Sequence, residues 1–326
     1  MTPPSPPSGP TRPSRLRRAL AALLPAALLP ASLLLAACDT GGDDDGVAVV
    51  AAIYPLAYIA ERVGGEHVAV ETLTPAGAEP HDLDLTVRQT AAVAEAGLVG
   101  YVAGFQPAVD EVVAQQAGDA AIDVPYPRRA IGAGLDHADD EGHDHADEEG
   151  HDHGDEDPHV WLDPRAMSAT AQAYADRLAE VDPEHADDYA ANAEALLADL
   201  ERIDTSYAHT LGDCRRREVV VSHDAFGYLS RYGLEFTSIA GISPDAEPSP
   251  GRLADLGELI DATGVTTVFT ERLASPALAE TLADELGLTT DVLDPIEGLT
   301  EDTAGENYLS LMEANLVALA RANDCP

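Results

Sequence analysis

Basic side chains are scarce in this sequence. Its 18 basic residues are all arginines and face 59 aspartates and glutamates, so the formal net charge is −41 at pH 7. A surface of this kind repels nucleic acid and anionic lipid and attracts cations. The composition therefore argues against a nucleic-acid partner. At 326 residues, 45% of them hydrophobic, the chain is long enough for two domains with separate cores.

Long apolar runs are scarce too, and the one near the N-terminus is short. Four arginines precede it: Arg12, Arg15, Arg17 and Arg18. The Ala/Leu-rich run that follows contains Pro25 and Pro30 and ends in Leu-Ala-Ala before Cys38. This pattern is typical of a bacterial lipoprotein signal over residues 1–38, with Cys38 lipidated, rather than of a transmembrane helix. Residues 39–46 would be a flexible tether that holds the protein to the outside of the cytoplasmic membrane.

Cysteine is also rare, since only Cys214 and Cys325 remain besides Cys38. Exported proteins meet an oxidising environment, in which two such cysteines pair readily. We therefore predict a disulfide between the two. It would tie the end of the chain to a segment that precedes a predicted strand.

Strand-like and helix-like segments alternate from Val47 onward, which predicts an α/β fold. We expect an N-terminal α/β lobe over residues 47–182, a linking helix over 183–211 and a C-terminal α/β lobe over 212–326. The linking segment has no Gly or Pro after its first residue, and a helix of that length spans about 40 Å. Shorter helices are expected at 225–232 and 303–323.

Histidine, in contrast, is concentrated in one acidic segment, residues 136–157. An eight-residue pattern recurs there, beginning at His137, His145 and His153. Such a polar, anionic segment cannot bury enough apolar surface to order itself, so we expect a flexible loop. Its histidines could form weak accessory metal sites, or the segment could be a solvated spacer without a metal role. The loop histidines are His137, His143, His145, His151 and His153.

Three further histidines stand next to predicted strands or helices. His81 follows the second strand, His223 follows a strand of three valines, and His159 precedes the only tryptophan and an Asp-Pro helix start. Ligands of α/β sheets bind at the carboxyl ends of the strands, although a lone histidine there is often only structural. With Asp294, which follows the last strand, they make a set that suits Zn2+. We assign no role to His67, His185 and His209.

Several segments, taken in order, resemble the zinc-specific solute-binding proteins of ABC uptake transporters, a group that includes manganese-binding relatives. They are the lipobox, AIYPLAYIAERVGG, GAEPHD, the acidic histidine loop, DPHVWLDP, VSHDAFGYLSRYGL, GISPDAEPSP, VFTERLASPALAETLADELG and LDPIEG. The resemblance implies two lobes joined by a single long helix, with the metal in the cleft between them. It implies ligation by His81, His159, His223 and Asp294, with Glu79 as a rival for the fourth place. Manganese-type members have a glutamate where this chain has His223, so the resemblance favours zinc.

The function that follows is capture of Zn2+ outside the cytoplasm and its delivery to an ABC permease driven by an ATPase. The protein would be a lipid-anchored monomer and not an enzyme. One alternative is a manganese- or iron-binding member of the same class, and another is an extracellular zinc buffer. A zinc hydrolase would need a general base such as Glu271 or Glu79, and the sequence has no HExxH motif.

Overall fold

The structure is a computed structural model that describes residues 46–130 and 156–326. The expected lipoprotein signal, nearly all of the tether and the five loop histidines lie outside the described residues. Within the described residues, no helix has the length and apolar character needed to cross a membrane.

The first lobe is built on a four-stranded parallel sheet. Its strands are β1 (Val47–Ala51), β2 (Val68–Thr72), β3 (Leu98–Tyr101) and β4 (Ala121–Asp123), and its helices are α1 (Tyr54–Gly64), α2 (Val87–Glu95) and α3 (Pro107–Val112). The strand order is β2-β1-β3-β4. Helix α2 begins with a capping box in which Thr86 and Gln89 satisfy each other's backbone N–H groups.

A two-stranded antiparallel stem follows, formed by β5 (Arg129–Ala130) and β6 (Glu156–Asp157). The stem corrects one predicted boundary. Residues 156 and 157 belong to a paired strand rather than to the flexible loop predicted over 136–157, and Asp157 is only 1% exposed. The last two residues of that segment are thus part of the folded protein.

Helix α4 (Pro164–Val181) packs against α1 and β3 of the first lobe, and the longer α5 (Ala186–Leu211) then leads to the second lobe. Asp163 caps α4 by accepting the backbone N–H of Arg165 at 2.9 Å. Helix α5 begins three residues later than predicted, because Pro183–His185 forms a separate 3-10 turn. It packs against α1, α4 and α8 (Tyr308–Ala322).

The second lobe repeats the architecture of the first. Its strands are β7 (Glu218–Val221), β8 (Glu235–Ser238), β9 (Thr267–Thr270) and β10 (Thr289–Val292), and its remaining helices are α6 (Pro250–Thr263) and α7 (Ala277–Leu286). The parallel sheet has the order β10-β9-β7-β8, which matches the first lobe when strands are counted within each lobe. The prediction of two α/β lobes is confirmed.

Two other predicted helices differ from the structure. The segment predicted as a helix over 225–232 is a 3-10 helix, Gly227–Tyr232. A Cβ at Gly227 would lie 1.5 Å from Nη1 of Arg129 and 2.9 Å from Oδ2 of Asp157, so a larger residue here would displace the Arg129 guanidinium from its place against the stem. The closing helix predicted from 303 begins only at Tyr308, because Asn307 caps it by accepting the N–H groups of Leu309 and Ser310.

Side chains of both lobes share one buried core around α5. The hydroxyl of Tyr207 in α5 donates to the Met312 carbonyl at 2.7 Å, and Asn192 Nδ2 donates to the Val63 carbonyl at 3.0 Å. The predicted disulfide joins Cys214 and Cys325, residues 111 apart in sequence. Helix α5 is therefore tied by its side chains to a helix of each lobe.

Candidate metal centre

His159 lies between the stem and α4, and its surroundings hold it rigidly. The three residues after it, Val160–Leu162, form a 3-10 turn in which every side chain is fully buried. Nδ1 of His159 is 2.9 Å from Oδ1 of Asp157, which also accepts the His159 backbone N–H at 3.0 Å. A carboxylate at Nδ1 keeps the proton there, so that the Nε2 lone pair is presented to a metal.

His223 follows β7 in the second lobe and is held in the same way. Its Nδ1 lies 2.7 Å from Oε2 of Glu271, and its backbone N–H donates to Oε1 of the same carboxylate at 3.2 Å. Glu271 directly follows β9, the strand beside β7. The edge where parallel strands end thus brings a histidine and its carboxylate together, as expected for α/β sheets.

His81 comes from the first lobe, in the segment between β2 and α2. Its backbone N–H donates to both carboxylate oxygens of Glu79 at 3.1 Å. The ring packs edge-on against Phe105, with 4.6 Å between centroids, and the side chain is 9% exposed. Glu79 therefore bonds the backbone of His81, whereas Asp157 and Glu271 also contact the Nδ1 atoms of the other two histidines.

The fourth side chain at the centre is Glu297, which the sequence prediction missed. It lies three residues beyond Asp294, in the same LDPIEG segment, and its side chain is 2% exposed. The prediction of Asp294 at this place is corrected by the geometry. Asp294 accepts the Ile296 N–H at 2.8 Å and pairs with Arg272 at 3.1 Å, so its carboxylate is used away from the histidines. Glu79 also lies outside the group, with 3.9 Å between its Oε1 and Nε2 of His81.

The four side chains converge on one point. Oε1 of Glu297 lies 3.5 Å from Nε2 of His81, 3.5 Å from Nε2 of His159 and 3.6 Å from Nε2 of His223. The Nε2 atoms of His159 and His223 are 3.3 Å apart. Donor atoms bound to one tetrahedral Zn2+ at ~2.0–2.2 Å lie ~3.3–3.6 Å from each other. All four of these separations fit within that range.

Two buried atoms of the group make no hydrogen bond within the described residues, Nε2 of His81 and Oε1 of Glu297. Buried polar atoms nearly always have a partner, because an unsatisfied one is expensive. Both atoms point at the centre that the other two histidines also face. The donor set itself therefore fits a bound cation.

The electrostatics of the centre follow from its carboxylates. Burial on its own would lower the pKa of His223, but Glu271 and Glu297 raise it to about 10. Burial likewise opposes the charged form of His159, and Asp157 and Glu297 raise the pKa of that imidazole. Burial would raise the pKa of the Glu297 carboxyl, yet the imidazoles that face it hold this pKa well below its usual range. The buried carboxylates thus strongly stabilise positive charge at this centre, either on the imidazoles or on a bound cation.

Comparison with known proteins places these observations in a family. A family model described as "Zinc-uptake complex component A periplasmic" matches residues 49–322. The "Zinc-binding lipoprotein AdcA" of Streptococcus pneumoniae is 36% identical over 305 residues, which cover 89% of this chain and 58% of that protein. The "High-affinity zinc uptake system protein ZnuA" of Bacillus subtilis is 33% identical over 289 residues, covering 86% of this chain and 88% of that protein.

Solved structures of similar proteins share the fold of this chain. The Zn(II)-bound AdcA of Streptococcus pneumoniae superposes with a TM-score of 0.70 at 32% identity, covering 86% of this chain and 58% of that one. Its ZnuA-like domain, also Zn(II)-bound, gives 0.69 at 32% identity and is covered to 99%. The chain thus spans little more than half of the AdcA protein and almost all of its ZnuA-like domain.

Proposed function

Because the chain belongs to the family of zinc-uptake complex component A, we propose that it captures Zn2+ outside the cytoplasm and delivers it to an ABC permease. The proposed ligands are His81, His159, His223 and Glu297. The observation that carries the proposal is the set of 3.3–3.6 Å separations between their donor atoms. Here Zn2+ is cargo, and the protein need only bind and release it.

The donor set supports zinc over manganese. Three imidazoles and one carboxylate oxygen in a compact tetrahedral arrangement suit Zn2+, whereas Mn2+ prefers more oxygen ligands and higher coordination. The resemblance stated above supports the same choice, because manganese-type members have a glutamate in place of His223.

A binding role is better supported than a catalytic one. A zinc hydrolase needs a general base beside a metal-bound water. Glu271, one of the two candidate bases, is engaged by both Nδ1 and the backbone N–H of His223. His159, His223 and Glu297 are almost completely buried, which suits enclosure of an ion rather than access of a substrate.

The sequence features outside the described residues complete the proposal. Lipidation at Cys38 would anchor the protein to the outer side of the membrane, next to the permease that a cytoplasmic ATPase drives. The five loop histidines would act as accessory, weaker sites that raise the local Zn2+ concentration. The protein would act as a monomer.

Zinc titration by calorimetry tests the ligand set. The chain with His81, His159 and His223 replaced by alanine is compared with the unchanged protein and with a second variant. That control carries alanine at the five loop histidines: His137, His143, His145, His151 and His153. We expect the first variant to lose one tight site and the control to keep it. A tight site that survives the first variant and is lost in the control would make the protein a zinc buffer whose loop is the main binder.

A further inference from the structure

Ile296, the residue before Glu297, has a backbone conformation that isoleucine rarely adopts. Its φ is 58°, in the left-handed region, and its side chain is fully buried. For a β-branched residue this region is a genuine outlier, because Cβ crowds the adjoining carbonyl. Such strain persists only where the surrounding structure imposes it, and it is concentrated at functional sites.

Contacts from three elements impose this conformation. Oδ1 of Asp294 accepts the Ile296 N–H at 2.8 Å, and Oδ2 of Asp294 lies 3.1 Å from Nε of Arg272. The Asn315 side chain accepts the Asp294 N–H at 2.9 Å and donates to the Asp294 carbonyl at 2.6 Å. The indole N–H of Trp161 donates to the Pro295 carbonyl at 2.7 Å. Every residue of the turn before Glu297 is thus held by a hydrogen bond.

The strained residue determines where the next side chain points. A change of φ at Ile296 from the left-handed to an ordinary region would rotate the following backbone and swing the Glu297 carboxylate away from the three Nε2 atoms. In the observed conformation Oε1 of Glu297 lies 3.5–3.6 Å from each of them.

We propose that Asp294 is a positioning residue which, through its bond to the Ile296 N–H and its pairing with Arg272, holds the strained turn that aims Glu297 at the metal. The inference rests on the proposed function and deepens it. It assigns a role to a carboxylate that the sequence marks as a metal ligand, and it makes the fourth ligand depend on a residue that does not touch the ion.

A double-mutant cycle tests the inference. Zinc affinity is measured by competition with a chelator for the unchanged protein, Asp294→Ala, Glu297→Ala and the double variant. If Asp294 acts by positioning, its replacement weakens zinc binding about 10- to 100-fold, the range for outer partners of metal ligands. In the Glu297→Ala background the same replacement then has almost no effect, because the side chain it positions is gone.

A matched control separates positioning from general damage. Asp291 lies three residues earlier, pairs with Arg321 and accepts the Val292 N–H, so Asp291→Ala removes the same kinds of contact. We expect it to leave zinc affinity unchanged. Bound Co2+ gives a second readout, since its visible absorption reports the ligand set. Asp294→Ala should shift this spectrum towards that of Glu297→Ala, and Asp291→Ala should not.

The outcomes distinguish the two proposals. Equal effects of Asp294→Ala with and without Glu297 would overturn the positioning role while leaving the metal site intact. No tight site in the unchanged protein would instead overturn the proposed function. If Asp294→Ala fails to fold, Asp294→Asn replaces it in the cycle. That variant keeps an acceptor for the Ile296 N–H and removes the charge facing Arg272, so a smaller loss with the same dependence on Glu297 is expected.

Discussion

The two lobes share one strand order but hold their proposed ligands differently. In the second lobe, His223 is fixed by Glu271 and Glu297 is aimed by the strained turn before it. In the first lobe, His159 is fixed by Asp157 through its Nδ1, whereas Glu79 accepts hydrogen bonds from the backbone N–H of His81. Three ligands are thus preorganised and one is positioned more loosely. This comparison predicts that His81 contributes least to the rigidity of the metal-free centre.

The largest effects are expected when the three histidines are replaced one at a time. His159→Ala and His223→Ala should weaken zinc binding by more than about 100-fold, the upper end for loss of an outer partner. Each also removes the imidazole partner of a buried carboxylate, Asp157 or Glu271, and this loss of a buried pair destabilises the fold. His81→Ala leaves the backbone hydrogen bonds to Glu79 in place, so its effect on stability should be the smallest of the three.

Chelator competition gives the affinities, and urea unfolding of the metal-free protein gives the stabilities. His209→Ala is the control, because this histidine is exposed at the end of α5 and should change neither quantity. Equal losses of stability in all three ligand variants would contradict the difference drawn between His81 and the others.

The next test weakens the supports rather than the ligands. Glu271→Gln and Asp157→Asn should each lower zinc affinity about 10- to 100-fold, because the amide holds Nδ1 of its histidine less firmly. Glu79→Gln should reduce affinity less, since the hydrogen bonds of Glu79 go to the backbone N–H of His81 and not to its ring. The same competition assay ranks the three. A larger loss for Glu79→Gln than for Glu271→Gln would reverse the comparison between the lobes.

Protons provide a third test. Both supported histidines have raised pKa values in the metal-free fold, and that of His223 reaches about 10, so His223 carries a proton at pH 8 that an ordinary histidine would have lost. Zinc must displace this proton, and affinity should therefore rise with pH from 6.5 towards 10 instead of levelling off near 7.5. Calorimetry at pH 8 in buffers of different ionisation enthalpy should detect release of about one proton or more per zinc. An observed heat that is independent of the buffer would contradict the raised pKa of His223.

For the metal-free protein, the pH dependence of stability has the opposite sign to that of zinc affinity. A histidine whose pKa is raised on folding stabilises the fold most at pH values below its unfolded pKa, near 6.5. This stabilisation is lost as the pH rises towards the folded pKa, about 10 for His223. The metal-free protein should thus become less stable over the window in which zinc binds more tightly, and urea unfolding at pH 6.5 and 9 would measure the difference.

The sequence predicts much of this centre because strand ends in α/β sheets are recognisable from local patterns. His81, His159 and His223 each follow or precede a clear hydrophobic segment, and the structure brings all three together. The sequence could not show that Glu297, rather than Asp294, is the fourth side chain at the centre. Glu297 follows Ile296, whose left-handed φ is a conformation that local propensity disfavours. Tertiary contacts from Arg272 and Asn315 hold that conformation.

The carboxylates that orient the histidines could not be identified from the sequence either. Asp157 lies two residues before its histidine, but sequence alone places it in the repetitive acidic loop, with nothing to separate it from its neighbours. Glu271 is 48 residues from His223 and meets it only because β7 and β9 are adjacent strands. Pairing between strands distant in sequence is the information that local patterns do not contain.

The smallest expected effect concerns the segment that carries His81. The capping box of α2 holds both ends of this segment, since Thr86 starts the helix and Gln89 Nε2 donates to the Leu73 carbonyl at 2.7 Å. Thr86→Ala should lower the free energy of unfolding by about 1 kcal/mol. Ser249→Ala removes the equivalent cap from α6 in the second lobe and should lower the free energy of unfolding by about the same amount.

If His81 is the loosely held ligand, only Thr86→Ala should also weaken zinc binding, by about threefold at most, because one ordered end of its segment is released. Equal affinities in the two cap variants would mean that the segment is held by Phe105 and Glu79 rather than by its ends, and His81 would then join the preorganised ligands.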